Sequence, residues 1–97
     1  MKLICTATAG TMESNDIMVT LEPAEAGGIQ IDLTSNVLQQ FGAQIRSVIR
    51  DTLTHYGIEN AEVTAVDKGA LDCTVRARVT AAIFRSAQSD AYEWEVK

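Results

Sequence analysis

Apolar and polar residues alternate one for one through two stretches near the amino end. In "IMVTLEP", Ile17, Val19 and Leu21 share one face and Met18, Thr20 and Glu22 the other, the period of a half-buried strand. Pro23 has no amide hydrogen to donate and ends that ladder. "GIQIDLT" repeats the device, with Ile29, Ile31 and Leu33 inward and Gln30, Asp32 and Thr34 outward. Joined by the turn-forming "PAEAGG", the two runs predict an antiparallel hairpin whose loop is longer than the tightest kind. Upstream, "LICTATA" is rich in strand-compatible residues and predicts a strand over Leu3 to Ala9, ending at Gly10. "AEVTAVD" alternates again, with Val63 and Ala65 opposite Thr64 and Val66, before the turn "DKGA".

Between Asn36 and Tyr56 the period lengthens to three and four. Val37, Phe41, Ile45, Val48, Leu53 and Tyr56, with Ile49 beside them, form one apolar stripe and predict a long amphipathic helix. Ser35 or Asn36 serves as its N-cap and Gly57 as the left-handed residue that stops it. Gly42 costs this helix ~1 kcal/mol relative to alanine unless another backbone packs closely there. Gln39, Gln40, Gln44, Arg46, Arg50 and Asp51 make a solvated outer side. The tail "LDCTVRARVTAAIFRSAQ" fits two periods. Leu71, Cys73, Val75 and Ala77 alternate, whereas Val75, Val79, Ala82, Ile83 and Ser86 lie on one helical stripe. We read a strand through about Val75 that passes into a helix from about Arg78 to Ser89. The expected fold is α+β: a largely antiparallel sheet with two helices packed on one face, in a single domain over residues 1–97.

At 97 residues and 46% hydrophobic, the chain can bury a core without metals or disulfides. Thirteen acidic residues against eight basic give a net charge of -5, which repels phosphate backbones and anionic lipid surfaces and favours a basic protein partner. Neither nucleic acid nor membrane is expected as a partner, and no apolar run approaches the length that crosses a bilayer. "MKLIC" gives way too soon to "TATAGTMESND" to form a signal-peptide core. Cys5 and Cys73 are read as reduced thiols of a cytoplasmic protein. His55 is the one histidine, and neither cysteine has a partner at ligand spacing, so no metal site is expected. Gly-rich phosphate loops are missing as well, since Gly27 and Gly28 belong to a turn.

Candidate chemistry centres on Ser14 in "GTMESNDIMV". As a hydrolytic nucleophile it needs a base, and His55, one turn after Asp51 on the predicted helix, is the sole histidine that can serve. The "GxSxG" elbow that would support this is absent. Glu13 with Asp16, or Glu59 with Glu62, are acid pairs of an ordinary surface kind, with nothing to split their pKa values. Two readings of Ser14 remain: a turn serine whose oxygen bonds local amides, or an exposed hydroxyl that another enzyme esterifies with a phosphate-bearing group. Turn statistics favour the first. Arg46, Arg50, Arg76, Arg78 and Arg85 are read as solvated charges rather than phosphate contacts.

"AGTMESNDIMVTLEP", "GGIQIDLTSNVLQQFGAQIRSVIRDTL" and "VDKGALDCTVRARVTAAIFRSA", in this order and at these separations, resemble the citrate lyase acyl carrier family, the gamma subunit of that complex. The likeness covers essentially the whole chain. "GTMESND", "QQFG" and "DKGALDC" followed by "VRARV" are specific in combination. The acyl carrier of malonate decarboxylase is the nearest alternative and matches less well around the serine and the "DKGAL" turn.

The resemblance implies that Ser14 carries phosphoribosyl dephospho-coenzyme A through a phosphodiester and that the chain itself is not catalytic. It implies a role in citrate fermentation, with the alpha (transferase) and beta (lyase) subunits as partners. A prosthetic-group-attaching transferase and an acetylating ligase would act on the chain, and magnesium would sit in the lyase subunit. The cofactor's thiol, acetylated in the active form, would do the carrying, so Cys5 and Cys73 need do none. Ordinary phosphopantetheine carriers are helical bundles with the serine in a "DSL" segment that opens a helix; Ser14 precedes a period-two strand instead.

Overall fold

A computed structural model describes residues 2–88. In chain order the elements are β1 (Ala7–Ala9), β2 (Ile17–Pro23), β3 (Ile29–Ser35), α1 (Leu38–His55), β4 (Ala61–Asp67) and α2 (Asp72–Ser86). The sheet order is β1-β2-β4-β3, with β1/β2 and β2/β4 antiparallel and β3/β4 parallel. One face carries Ile17, Val19, Leu21, Leu33, Ala61, Val63 and Ala65, none more than 5% exposed. Ile45, Val48, Ile49 and Leu53 of α1 and Val75, Val79, Ala82 and Ile83 of α2 close over it in one apolar cluster. The other face is open and polar, with Thr8, Thr20, Thr64 and Asp32 in register across all four strands. The α+β class, the mostly antiparallel sheet and the two helices on one face are as the sequence pattern predicts.

The expected hairpin is not formed: β4 lies between β2 and β3. β3 runs into α1 and back through β4 as a parallel crossover, which claims the place beside β3. Stepping over one strand means bridging about 10 Å, twice the strand spacing. Residues 24–28 cover that distance easily, and the far end is pinned where the Ala61 amide donates to the Gly28 carbonyl and the Gly28 amide to Asn60 Oδ1.

β1 is shorter than the predicted Leu3–Ala9. The Ile4 and Cys5 amides both donate to the Ser86 carbonyl, and Ser86 Oγ donates to the Cys5 carbonyl, so this segment wraps the end of α2 instead of extending the sheet. Nor is there a strand through Val75. α2 starts at Asp72 straight after the turn, with the Val75 amide donating to the Leu71 carbonyl. The burial pattern shows which period won: Val75, Val79, Ala82, Ile83 and Ser86 are buried, while Leu71, Cys73 and Ala77 of the alternating set are exposed. Ser89, the predicted end of that helix, lies outside the described residues.

α1 matches its predicted span closely, and Gly57, at φ 74°, follows its end. No side chain caps its amino end, and Ser35 Oγ accepts instead from the Val37 amide. Phe41, predicted for the core, is 51% exposed. The two helices run the same way, with Gln44 level with Asp72 (2.7 Å between Nε2 and Oδ2) and Tyr56 edge-on to Phe84, so Phe41 stands ahead of the start of α2. Thr52 takes an inward place the stripe did not include, its hydroxyl donating to the Val48 carbonyl at 2.7 Å.

Candidate functional site

The loop between β1 and β2, residues 10–16, crosses the end of the sheet where β2 begins and β4 ends. Gly10 starts it in a left-handed conformation, φ 95°, and a Cβ there would stand 1.8 Å from the Ile17 carbonyl oxygen. Only glycine lets the loop's first leg press so closely on the β2 backbone.

The second leg is a turn followed by a bulge. The Asp16 amide donates to the Glu13 carbonyl at 3.2 Å, and Asn15, at φ 65°, supplies the positive angle that a type II turn requires at its third residue. The Asn15 amide donates to the Lys68 carbonyl at 2.8 Å, and the Lys68 amide donates to the Asp16 carbonyl at 2.9 Å. Two residues thus oppose one across the ladder, the first left-handed, as in a G1 bulge with asparagine in glycine's place. Ser14 sits at the second position of that turn.

Side chains lock this arrangement. Arg78 of α2 grips Asp16 with two bonds, Nε to Oδ1 at 3.0 Å and Nη2 to Oδ2 at 2.9 Å. Thr11 Oγ1 donates to Asp16 Oδ2 at 2.7 Å, and the Ile17 amide donates to Oδ1. The Arg78 guanidinium, aided by the Thr11 hydroxyl and the Ile17 amide and opposed by burial, holds the Asp16 carboxyl down to about 2 from 3.8. Behind it, Asp67 is buried at the end of β4 and accepts from Ser35 Oγ and from the Gly69 and Ala70 amides, which shapes the turn that presents Lys68 to the loop.

Against this fixed frame Ser14 is exposed, and its Oγ makes no hydrogen bond among the described residues. Thr11 and Asp16 satisfy the local amides that a turn serine would otherwise serve. His55 closes α1 at the other end of the sheet, before β4 begins, while Ser14 lies past the end of β4. The 18 residues of α1 separate those ends, about 27 Å at the usual rise. Ser14, His55 and Asp51 are therefore not brought together. Asp16 pairs with Arg78 rather than with Glu13, and Glu59 and Glu62 are both exposed at the far end. Cys5 and Cys73 are free thiols at opposite ends of α2.

The roles of Arg78, Arg85 and Asp67 here were not foreseen from the sequence. Arg78 is the clamp on the loop rather than a solvated charge, and Arg85 likewise donates to the Thr8 carbonyl at 2.7 Å. A carboxylate placed directly before the buried Ile17 was the available signal, because such a group demands a cation or amides. Asp67 was legible in "DKG", where an aspartate oxygen can bond amides two and three residues on. An exposed hydroxyl held on a rigid loop, far from the one histidine, suits a reaction whose base and electrophile come from outside.

The family model described as "Malonate decarboxylase delta subunit (MdcD)", of the ACP family, matches residues 5–86. The citrate lyase acyl carrier protein of Streptococcus mutans is 54% identical, over 93% of this chain and 88% of the relative. That of Streptococcus uberis is also 54% identical, over 98% and 93%, and that of Lacticaseibacillus casei 56%, over 92% and 87%. Among solved structures, a chain of a Pseudomonas malonate decarboxylase hetero-tetramer in complex with malonate superposes with a TM-score of 0.70. It is 22% identical, over 84% of this chain and 82% of that one, which speaks for the fold alone. Near-complete coverage at more than half identity places the chain in the citrate lyase acyl carrier protein family.

Proposed function

We propose that the chain is the acyl carrier subunit of a citrate lyase and that Ser14 is its anchoring point. The free, exposed Oγ on a loop clamped at Asn15 and Asp16 carries this reading. The group proposed for that oxygen is phosphoribosyl dephospho-coenzyme A, held through a phosphodiester. The residues present fit it: the hydroxyl is accessible, and the neighbouring acid Asp16 already has its charge balanced by Arg78. Glu13 is exposed, so its repulsion toward a phosphodiester is screened by water.

When bound, the group would supply a thiol for the acetyl and citryl thioesters in the cleavage of citrate to acetate and oxaloacetate. The chain's own part is mechanical. In the attachment step Ser14 Oγ would attack the phosphorus of a phosphoanhydride-activated form of the group and give its proton to a base of the attaching transferase, while the anhydride P–O bond breaks and the donor's terminal phosphates leave. The bulge and the Asp16–Arg78 clamp then hold the anchor still, so the reach of the arm is set by the arm alone. Tethering gives an effective concentration of about 1 mM at each partner's active site. The transferase and lyase subunits would supply the catalysis and the acetylating ligase would charge the arm. The whole chain would act as one carrier domain in the cytoplasm; among the described residues no helix is long and apolar enough to cross a membrane.

Intact-mass and peptide-mass spectra test this. The wild-type chain and Ser14→Ala, each co-expressed with the attaching enzymes, should differ by the mass of the group, with the addition mapped to Ser14. The same addition on the variant overturns the assignment. Because the matching family model and the solved relative are both named for malonate decarboxylase, a carrier role in that kind of complex is the second reading. Reconstitution decides between them: citrate cleavage restored with citrate lyase alpha and beta subunits supports the first, and failure there with decarboxylation restored in the other complex supports the second.

A further inference from the structure

Among the described residues the large apolar side chains left in solvent are Ile4, Met12, Phe41 and Leu71, and all but Ile4 stand at the Ser14 end. Phe41 and Leu71 are the lips of a groove of about 320 Å³, with Val37, Ile45 and Ala70 among its walls. That volume is at the lower end of small-ligand sites. One end of the groove is polar, where Gln44 Nε2 donates to Asp72 Oδ2 at 2.7 Å. Among the described residues no cationic side chain lines it.

The groove and the anchoring serine are built on the same turn. Gly69 lines the groove, and a Cβ on it would lie 3.7 Å from Asn15 Oδ1, while Lys68 next to it bonds the backbone of Asn15 and Asp16. Their separation is therefore fixed. A slot with an aromatic lip, aliphatic walls, a carboxylate and an amide at one end, and no cation suits a flat, uncharged, hydrogen-bonding ring and repels phosphate.

We propose that this groove is the resting site of the arm on Ser14 and that its occupant is the adenine ring. The ring packs against Phe41 and Leu71, and its exocyclic amine donates to Asp72 or to the Gln44 side-chain oxygen. The tether makes weak affinity sufficient: at an effective concentration of about 1 mM, a site with a dissociation constant of about 1 mM is half filled. The arm is thereby parked between visits and released without a large barrier. This proposal depends on the Ser14 reading above.

The test uses isotope-labelled chain, unmodified and modified, with the modification verified at Ser14 by peptide mass. Modification should shift amide resonances of residues 37–45 and 69–72 as well as those of the 10–16 loop. Free dephospho-coenzyme A added to the unmodified chain should shift the same groove residues saturably, and pantetheine, which lacks the ring, should not. Phe41→Ser, at a half-exposed position, should keep the fold, abolish the groove shifts and weaken the free ligand at least ~5-fold, as loss of one base–aromatic stack entails. Leu71→Ser provides the same reading from the opposite lip. Shifts confined to the loop and Lys68–Gly69 in verified modified protein overturn the proposal. So does a Phe41→Ser chain that keeps its groove shifts but binds the lyase or transferase subunit more weakly, which assigns the lips to a partner. A chain unmodified at Ser14 removes the function and this proposal together, and that failure is read from the mass rather than the spectrum.

Discussion

Replacing Asp16 with asparagine keeps the shape of the side chain and removes the charge that Arg78 grips. A carboxyl held at about 2 instead of 3.8 represents about 2 kcal/mol in favour of the folded, ionised form, at ~1.4 kcal/mol per pH unit. The Arg78 side chain is 40% exposed, so solvent screening lowers the expected loss to about 1 kcal/mol. The sign of the pH dependence follows from the depressed value. The stabilisation is complete above 3.8, where the carboxylate is ionised in both folded and unfolded chains, and is lost as the pH falls toward about 2. Urea unfolding of the wild type and Asp16→Asn should therefore differ by about 1 kcal/mol at neutral pH, and the two curves should converge between pH 4 and pH 2. The other carboxylates are common to both chains and cancel in the difference. A gap of the same size at neutral pH and at about pH 2 would refute the electrostatic account and make the site one of packing. No gap at neutral pH would remove the clamp altogether.

Gly10→Ala should be among the most damaging single substitutions, because it combines a positive φ with backbone contact at 1.8 Å; thermal unfolding should show a loss beyond the ~1–2 kcal/mol of the left-handed angle alone. Asn15→Ala should cost about 1 kcal/mol while Asn15→Gly is tolerated, since only the φ of 65° is at stake. Ser14→Ala should stay within about 0.5 kcal/mol of wild type, as expected for an exposed hydroxyl without partners. Ile49→Ala, at a fully buried position, should cost about 2–5 kcal/mol by denaturant titration, whereas exposed Phe41→Ser should cost far less.

Local periodicity was a good guide wherever one face of an element is buried along its whole length. Ile17, Val19 and Leu21 are inward as their spacing required, as are Ile45, Val48, Ile49 and Leu53. It misled where two periods shared the same residues. Val75 belongs to both patterns of the tail, and only the presence of β2 and α1 against one side of α2 selects the helical one. Phe41 belongs to the α1 stripe by spacing, yet nothing of α2 extends far enough to cover it.

Strand alternation, the long helix, the acidic surface and the family of the chain are properties of neighbouring residues and short motifs, so the sequence alone determined them. Which strands touch is a matter of contacts far apart in the chain. The insertion of β4 between β2 and β3, and the bonds from Arg78 to Asp16 across 62 positions, exist only once the core has closed. Ser14 could be picked out from its motif, but its availability could not. That depends on Thr11, Asp16 and the backbone of Glu13 and Lys68 accepting from the amides of residues 13 and 15–17 and leaving the serine oxygen free, and tertiary packing decides it.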